Sequence, residues 1–575
     1  MDTAKVEVAF ASVNEDERVK LYYASDNCYG CALQALSRDG CDSSNDECTE
    51  MAPGDSTYTY TIQTVYSFSM ELRNFDGDHL WGGSSIMLNE HTNYTLFANR
   101  SASGSVNASL FMTDSPTTSH TYMSVLLVVV LLWPLACVGL FSWKKRAQQQ
   151  QAATTTTTAA FRSHAIDSDI HLDEMLREPI PSVVISTPLQ STKKPRIVSL
   201  DVFRGITIFA MIFVNLGGGE FWYFKHATWN GLTVADVVFP FFVWIMGVTM
   251  NIGMSSHAKK GTALHKMLLD AVMRSIRLFL LGLLLVNDFR SLHGGRIPGV
   301  LQSFAFAYLM VSLAVVAGLA CKSDRFRHLQ RVVESLVMFV VVAANLGIAF
   351  LLPVPGCPTG YFGPGGLGDG GLYANCTGGA HLLVDLTIFG ESYMGTGGTQ
   401  ASVYDTNGPW DPEGALNWLM VSFMAYIGYV VGGLFLQATN WKHKIGTLVS
   451  VGVVLALVGL ALCEFKKNGG FIPINKNLWS LSFVLAVSGL ACGALAVVYL
   501  LVDHFAVWGG TPFRENGMNA IALYIGHEIL IDHTPFSWDR DTSSHIENLL
   551  SNLGGALCWT VVALWMHQAG IFITV

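Results

Sequence analysis

Residues 200–231 (LDVFRGITIFAMIFVNLGGGEFWYFKHATWNG) contain the side chains whose types and spacing are best suited to chemistry. The stretch predicts an apolar helix that ends near Asn215, because three glycines (217–219) follow, and an aromatic run then leads to His226. Polar side chains are costly inside a membrane helix, so they face a protein interior or a water-filled cavity and mark function. An imidazole can exchange a proton near neutral pH and can also act as a nucleophile. We therefore interpret His226 as the residue around which the chain is organised.

Other polar residues allow both a structural and a functional interpretation. Asp201 and Arg204 lie three residues apart on a helix and can pair as an anchor, or Arg204 can meet a phosphate. Asn215 can orient a reacting group or bond a neighbouring helix. Four further polar residues could either hold helices together or take part in function, and the sequence favours neither role: Asp236, Asp288, Arg296 and Gln302. His527 is a second candidate for a catalytic histidine, and the candidate substrate contacts are Trp222, Asp236, His527 and Glu528.

The composition indicates a membrane protein. The chain has 575 residues, of which 51% are hydrophobic and 13% charged, whereas soluble domains have about 25% charged residues. A net charge of −9 decides little, because the location of Lys and Arg matters more than their sum. About eleven transmembrane helices are predicted, at 122–143, 201–219, 233–254, 272–287, 297–320, 333–353, 413–437, 445–464, 479–503, 516–532 and 553–574.

Basic clusters predict the orientation of these helices. The first helix (122–143) ends in Lys144-Lys145-Arg146, which places that end in the cytosol. Alternation then places three basic loops in the cytosol, at 257–260, 322–331 and 441–444. The loop 354–412 and His226 fall on the luminal side, and the C terminus is cytosolic. The segment 144–197, which opens with poly-Gln and poly-Thr, is predicted to be a disordered cytosolic linker.

Residues 1–121 predict a small β-rich luminal domain. Alternating runs such as 57–72 indicate strands, and DG and GG pairs indicate turns. No apolar segment typical of a signal peptide follows Met1, so either one was removed or the first helix translocates the domain. Glycosylation sequons indicate a non-cytosolic compartment, and their acceptors are Asn93, Asn99 and Asn107, with a further sequon at Asn375.

Six cysteines could form disulfides or, for the first four, bind zinc, and they are Cys28, Cys31, Cys41, Cys48, Cys357 and Cys376. The spacing lacks the repeated CxxC pairs or histidines of a zinc site, so we favour disulfides, with open connectivity. Familiar catalytic motifs are missing from the sequence: it has no GxxxxGK[ST] phosphate loop, and His527-Glu528 with Asp532-His533 has the wrong spacing for a zinc helix. We expect no metal and no nucleic-acid partner.

From residue 197 to residue 533 the chain resembles the heparan-alpha-glucosaminide N-acetyltransferase family of lysosomal transmembrane acetyltransferases. The resemblance rests on ordered blocks: VNLGGGEFWYFKHATWNGLTVADVVFPFFVWIMG (214–247), RIPGVLQ (296–302), LLPVPGCPTGYFGPGG (351–366), NCTGG (375–379), DPEG (411–414), GFIPINKNLWSLS (470–482), GTPF (510–513), GMN (517–519) and GHE (526–528). The linker has no counterpart in the family, and the N-terminal domain is similar only in position, cysteines and sequons.

The resemblance implies an activity and its residues. The family passes the acetyl group of cytosolic acetyl-CoA to the terminal non-reducing glucosamine of heparan sulfate in the lysosomal lumen. Its active histidine and catalytic asparagine match His226 and Asn215. The wider family of multi-pass acyltransferases shares a DxFRG start, which is matched here by Asp201, Phe203, Arg204 and Gly205. No sorting signal beyond the weak LDEML (172–176) stands out, so the expected lysosomal location rests on the resemblance.

Two chemical routes fit these residue types. His226 can remove a proton from the attacking amine in a ternary complex, or it can carry the acetyl group itself in a ping-pong route. We favour direct transfer, with Asn215 donating a hydrogen bond to the thioester carbonyl. Acetyl-CoA needs cations for its phosphates, and we expect them at helix ends facing a cavity: Arg204, Arg274 and Arg277, with Asp201 beside them. Lys259, Lys260 and Arg514 are weaker candidates.

Two alternatives remain at this level. One is a related acyltransferase acting on another sugar, and the other is a small-solute transporter. Transporters usually have two matching halves, and residues 197–353 and 413–575 have no convincing repeat. The glycine-rich spans and luminal domain favour a homodimer.

Overall fold

The computed structural model describes residues 2–12, 18–41, 46–53, 57–100, 106–113, 197–287, 295–321, 329–396, 398–406, 408–538 and 545–573. The predicted first membrane helix (122–143) and all but the last residue of the predicted linker (144–197) lie outside these ranges.

The N-terminal region folds as a sandwich of two β-sheets, which confirms the β-rich prediction. One sheet has the strand order β5-β1-β8-β9, with β1 and β8 parallel, and the other has the order β3-β2-β6-β7, with β4 on β2. The predicted alternating run 57–72 forms β5 and most of β6. The strands are β1 Thr3–Ala11, β2 Val19–Ser25, β3 Gln34–Ala35, β4 Glu50–Met51, β5 Thr57–Gln63, β6 Phe68–Asn74, β7 His79–Ile86, β8 Asn93–Arg100 and β9 Val106–Met112.

Alternation along the strands builds the core of this β domain. Side chains point to opposite faces at successive positions, so every second residue of β1 is buried. Val8, Leu21, Leu72 and Leu96, from strands of both sheets, are fully buried in one cluster. The six predicted cysteines pair as disulfides, and the pairs are Cys28–Cys31, Cys41–Cys48 and Cys357–Cys376.

The rest of the described chain is helical. Its helices are α1 Val198–Asn215, α2 Val234–Lys259, α3 Leu264–Val286, α4 Val300–Ala320, α5 Leu329–Leu351, α6 Ala380–Phe389, α7 Thr399–Tyr404, α8 Ala415–Gln437, α9 Trp441–Leu462, α10 Leu481–Tyr499, α11 Phe513–Met518, α12 Ala520–Ile529 and α13 His545–Gln568. Within the described ranges, eight of these are long and apolar enough to cross a membrane, α10 being counted with its π-helical extension to His504: α1, α2, α4, α5, α8, α9, α10 and α13. The predicted class, a multi-pass helical membrane protein, is therefore confirmed.

Two predicted spans differ from the structure. The span predicted at 516–532 is two short helices, α11 and α12, which meet at Asn519. Asn519 is fully buried, and its side chain donates to the carbonyl of Ile571 and accepts from the N–H of Ile573. These bonds tie the break to the end of the chain that follows α13, a contact that local sequence cannot reveal. The span predicted at 272–287 is the second part of α3, whose first part is charged.

Close helix contacts at glycines hold the bundle together. Gly247 of α2 and Gly428 of α8 lie against each other's helix: a Cβ on Gly247 would overlap the carbonyl oxygen of Ala425, and one on Gly428 that of Trp244. Small residues allow helix backbones to approach closely in membranes, where packing drives association. The α2–α8 contact therefore has no room for a methyl group.

Gly247→Ala should destabilise the protein, because the added methyl group must push α2 and α8 apart. Overpacking of this kind costs about 1–3 kcal/mol, so we expect a lower melting temperature of the purified full-length protein. Gly347→Ala in α5 is the matched control, since a Cβ there meets no atom within 4 Å among the described residues. Equal melting temperatures for the two variants would contradict the tight α2–α8 contact.

Candidate functional site

A turn of glycines ends α1 and redirects the chain towards His226. Gly217, Gly218 and Gly219 have φ of 117°, 58° and 70°, values that residues with a Cβ rarely adopt. Short 3-10 turns at Gly218–Glu220 and Trp222–Phe224 follow, and they bring His226 to the start of α2. The helix that carries Asn215 and the loop that carries His226 are thereby joined by one rigid turn.

Asp236, in the first turn of α2, orients His226. The Nδ1 atom of His226 lies 2.8 Å from Oδ1 of Asp236, and the carboxylate is fully buried. Its Oδ2 accepts from the backbone N–H groups of Ala227 and Thr233, each at 3.1 Å, and from the Thr233 hydroxyl at 2.9 Å. A carboxylate accepts when ionised, so Nδ1 carries the proton and the lone pair lies on Nε2.

Lys476 is the third member of this group, and sequence reasoning missed its role. Its Nζ lies 3.1 Å from Nδ1 and 3.3 Å from Nε2 of His226, and 4.0 Å from Oδ1 of Asp236. Only 13% of its side chain is exposed. The signal was present, because Lys476 is the lysine of the GFIPINKNLWSLS block, between two predicted spans. No spacing rule connects that block to residues 250 positions earlier.

The surroundings favour the neutral form of His226. Burial and, next in size, the Lys476 ammonium lower the pKa of His226, while the bond to Asp236 opposes them. The imidazole side chain is still 39% exposed, so reagents can reach it. A neutral imidazole with Nδ1 committed to Asp236 is suited to accept a proton, or attack a carbonyl, through Nε2.

Backbone and side-chain bonds hold the Lys476 segment against the His226 loop. The amide of Asn475, which is fully buried, donates to Oδ1 of Asn230 at 3.0 Å. The N–H of Gly231 donates to the carbonyl of Ile474 at 2.8 Å. On the other side of the loop, Nε1 of Trp229 donates to the carbonyl of Phe362 at 2.8 Å. The loop is therefore fixed from both sides.

Asn215, His527 and Glu528 form a second polar group. The amide Nδ2 of Asn215 lies 2.9 Å from Nε2 of His527 and 3.2 Å from Oε1 of Glu528. His527 is almost fully buried, whereas Asn215 is exposed. An amide nitrogen can only donate, so Nε2 of His527 is the acceptor. The structure thus brings together three residues that the sequence singled out in two distant segments.

A partly buried arginine, Arg296, pairs with two carboxylates near Lys476. Arg296 donates from Nε and Nη2 to Asp411, both at 2.7 Å, and from Nη2 to Glu413 at 2.8 Å. Burial and the neighbouring Asp411 raise the pKa of Glu413, which Arg296 and Lys476 lower. Tyr524 is within electrostatic range of Glu413 and Arg296 as well as Glu528. Glu413 therefore lies within electrostatic range of Lys476 beside His226 and of Tyr524 beside His527.

The β domain reaches this site directly. The Thr228 hydroxyl, two residues after His226, donates to Oδ1 of Asn27 at 3.0 Å. The ring of Trp222, which is 50% exposed, lies 6.3 Å from that of Tyr66 in the β domain. Residues of both the β domain and the helical domain therefore line the site. The predicted glycosylation acceptors are all exposed, and they are Asn93, Asn99, Asn107 and Asn375.

Two neighbouring cavities that share lining residues lie between the helices. One, of about 440 Å³, is lined by residues near the C-terminal end of α2 and the start of α3, including His257 and Met267. The other, of about 210 Å³, is lined mainly by apolar side chains of α1, α2, α4 and α12, and Tyr524 is part of its lining. Arg204 and Arg274 are among the residues that line both. Because the ring of Tyr524 lies 5.5 Å from that of His527, the cavities lead towards the Asn215 group.

The two shared arginines are placed to meet an anionic ligand. The guanidinium of Arg274 lies over the ring of Tyr308, 4.5 Å from its centre, and its Nε is buried with no hydrogen-bond partner among the described residues. Arg204 donates to the carbonyl of Gly517 at 3.3 Å and lies 3.9 Å from Asp201. A cationic entrance with an apolar continuation suits the phosphates and pantetheine arm of acetyl-CoA.

Two expected cofactor residues differ from this arrangement. Arg277 does not line either cavity: it is exposed, its Nε donates to the carbonyl of Met273, and it shares the outward face of α3 with Leu280 and Leu284. Three residues along an α-helix correspond to about 60° around its axis, so Arg274 and Arg277 are neighbours on the helix surface. The packing of α3 against the other helices decides that only Arg274 lines the cavities. Asp201 also does not line either cavity, since it is buried behind Arg204.

Two curated relatives match this chain. Heparan-alpha-glucosaminide N-acetyltransferase of Homo sapiens is 40% identical over 399 residues, which are 66% of this chain and 60% of that protein. The enzyme of the same name from Mus musculus is 32% identical over 580 aligned positions, which are 96% of this chain and 86% of that protein. The chain thus spans less than two thirds of the human relative and most of the mouse relative. No protein-family model matches the chain.

Lys476→Met should raise the pKa of His226, because it removes the cation that stabilises the neutral imidazole. We expect the modification of His226 by diethyl pyrocarbonate, which reacts with unprotonated imidazole, to reach its midpoint below pH ~6.5 in the wild type and at a higher pH in the variant. Residue-resolved mass spectrometry measures that midpoint. Lys476→Arg, which keeps the charge, and Lys467→Met, at an exposed lysine of the same segment, should behave like the wild type. An unchanged midpoint in Lys476→Met would disprove this role.

Proposed function

This chain belongs to the heparan-alpha-glucosaminide N-acetyltransferase family, and on that premise we propose that it transfers the acetyl group of acetyl-CoA to the terminal glucosamine amine of heparan sulfate. The observation that carries the proposal is the orientation of His226 by Asp236 and Lys476. The cavity that leads to the Asn215 group adds support, because it offers a route for the acetyl donor. Family membership favours this transferase over a solute transporter or an enzyme for another sugar.

We assign the general-base role to Nε2 of His226. A glucosamine amine is mostly protonated in an acidic lumen and cannot attack a thioester until it loses a proton. Because burial and Lys476 lower the pKa of His226, its lone pair stays available at more acidic pH than that of an ordinary histidine. Nε2 takes one proton from the ammonium group, and the free amine nitrogen then attacks the thioester carbonyl carbon. The carbon–sulfur bond breaks, and the departing thiolate of CoA takes the second proton that the nitrogen loses.

The second polar group acts on the developing oxyanion. Asn215 carries two N–H donors, and the structure holds its amide beside His527 and Glu528. As charge grows on the carbonyl oxygen, a donor that is already oriented stabilises it without reorganisation. Glu528, with 32% of its side chain exposed, is placed to meet the ammonium form of the acceptor. Direct transfer in a ternary complex remains our preferred route.

Acetyl-CoA fits the cavities by the chemistry of their lining. Arg204 and Arg274 supply the cations that its phosphates require, and the apolar cavity beyond them suits the pantetheine arm. The acetyl thioester is the activated group that the reaction consumes. On the acceptor side, Trp222 and Tyr66 offer aromatic faces to a sugar ring.

The proposed setting is the lysosomal membrane, with the β domain in the lumen and the C terminus in the cytosol. Three disulfides and four exposed sequon asparagines support an oxidising compartment for the β domain and the 354–412 loop. The basic residues of the 257–260 loop, at the other end of α2, support a cytosolic cavity entrance. About eleven spans and a homodimer complete the proposed arrangement.

His226→Ala should abolish acetyl transfer from labelled acetyl-CoA to glucosamine, because the base is lost. General-base catalysis contributes about 10²–10⁴-fold, so we expect a loss of that size in kcat for a variant that melts like the wild type. His381→Ala, at a buried histidine outside the proposed site, controls for imidazole loss with a melting measurement of its own. Full activity of a folded His226→Ala would place the chemistry elsewhere, and release of one equivalent of CoA without acceptor would overturn direct transfer.

Arg274→Met should raise the KM for acetyl-CoA while changing kcat little, because the arginine binds the part of the donor remote from the reacting carbonyl. A charge-assisted hydrogen bond contributes about 1.5–3 kcal/mol, which corresponds to about 10- to 100-fold in KM. Arg277→Met is the matched control on the same helix and should leave KM unchanged. If both variants raise KM equally, general positive charge rather than the cavity is responsible.

A further inference from the structure

Three ligating side chains converge where the β domain meets the membrane domain. Asp2 precedes β1, Glu90 lies between β7 and β8, and His545 is the first residue of α13. Their ligand atoms all lie within 4.8 Å of one another. Nε2 of His545 contacts Oδ1 of Asp2 and lies 3.9 Å from Oε2 of Glu90. None of the three residues belongs to the proposed acetyl-transfer site.

The hydrogen bonds of His545 determine where its proton lies. Its Nδ1 is 2.9 Å from the carbonyl oxygen of Gly219. Because a carbonyl oxygen only accepts, Nδ1 must carry the proton. In the neutral imidazole, Nε2 then directs a lone pair at two carboxylates. Lone pairs and carboxylates repel, so this arrangement requires a cation among the three groups.

Charge balance and burial favour a divalent metal over a single proton. Asp2 and His545 are each 9% exposed, and Oε2 of Glu90 is buried with no hydrogen-bond partner among the described residues. An imidazolium hydrogen-bonded to Asp2 would leave the buried Oε2 atom of Glu90 without a hydrogen-bond partner, which is costly. A divalent cation balances both and gives Oε2 of Glu90 a partner. A histidine whose other N–H binds a backbone carbonyl is the usual arrangement of a metal ligand.

We propose that Asp2, Glu90 and His545 bind a divalent transition metal, with Zn²⁺ the best match for one nitrogen and two carboxylate oxygens. Bonds of about 2.0–2.2 Å in a tetrahedral site separate ligand atoms by about 3.4 Å. To reach that spacing, Oδ1 of Asp2 moves away from its direct contact with Nε2 of His545, and the Glu90 side chain, which is 30% exposed, moves inward by about half an ångström. Water supplies the fourth ligand. This site was not expected from the sequence, because its ligands come from three distant segments.

The metal would join the two domains next to the acetyl-transfer site. His545 holds the carbonyl of Gly219, and its ring stacks on Phe221 with centres 4.7 Å apart. Both residues belong to the turn that links Asn215 to His226. Binding of the metal by Asp2 and Glu90 therefore ties the β domain to that turn. The role is structural, and it stands whether or not the proposed transferase activity is correct.

Zinc binding to the full-length protein in lipid nanodiscs tests the site. After treatment with EDTA and its removal, Zn²⁺ is titrated at pH 7 against a chromophoric chelator, and the melting temperature is recorded. We expect one equivalent to bind and to raise the melting temperature. Glu90→Gln and His545→Asn should each weaken the affinity for this Zn²⁺ ion at least 10-fold. The asparagine of His545→Asn keeps an N–H donor for the Gly219 carbonyl. Glu7→Gln, at an exposed carboxylate of β1, should bind like the wild type.

Three results would overturn the site. The first is that the wild type binds no Zn²⁺. The second is that Glu90→Gln and His545→Asn still bind one equivalent as tightly as the wild type, which would place the zinc elsewhere. A melting temperature that rises on acidification of the metal-free protein, with no response to Zn²⁺, would identify a proton as the cation. Each of these readouts is independent of acetyl transfer.

Discussion

The buried carboxylate of Asp236 is the interaction on which the site depends. A buried charge is tolerated only when it is paired and hydrogen-bonded, and Asp236 meets that condition with donors from His226, Ala227 and Thr233. Because it lies in the first turn of α2, the positive end of the helix dipole also favours its charge. One side chain thus begins a membrane helix, closes the preceding loop and sets the tautomer of the histidine.

Lys476 and Asp236 have opposite effects on the pKa of His226, and Lys476 favours the neutral imidazole. An aspartate alone would raise the pKa of the imidazole and leave it protonated in an acidic compartment. The ammonium and the burial of the ring act in the opposite sense. Placing Lys476 there requires the buried Asn475 to hold its segment against the loop. The chemistry of one histidine therefore rests on contacts between segments 250 residues apart.

The His226 group lies at the start of α2, and the cavity lined by His257 lies near the other end of that helix. Tyr524 stands between them, lining the apolar cavity and packing beside His527. It lies on α12, a short helix that a continuous span would not have allowed. The break at Asn519 and the bonds of that residue to the chain after α13 place α12 against the apolar cavity. An irregular backbone at membrane depth is tolerated where it lines a cavity.

Local sequence determined the classes of structure and singled out the candidate reacting groups. Apolar runs located the long helices, alternation located strands β5 and β6, and the family resemblance of the VNLGGG and FKHATWNG motifs gave Asn215 and His226 as the predicted catalytic residues. These signals are local, since periodicity and turn chemistry act over a few residues. The roles of Lys476, Glu413 and Tyr308, the outward direction of Arg277 and the disulfide pairing were decided by the tertiary structure. The physical reason is that burial, charge coupling and cavities are properties of segments brought together from distant parts of the chain, and no spacing rule encodes them.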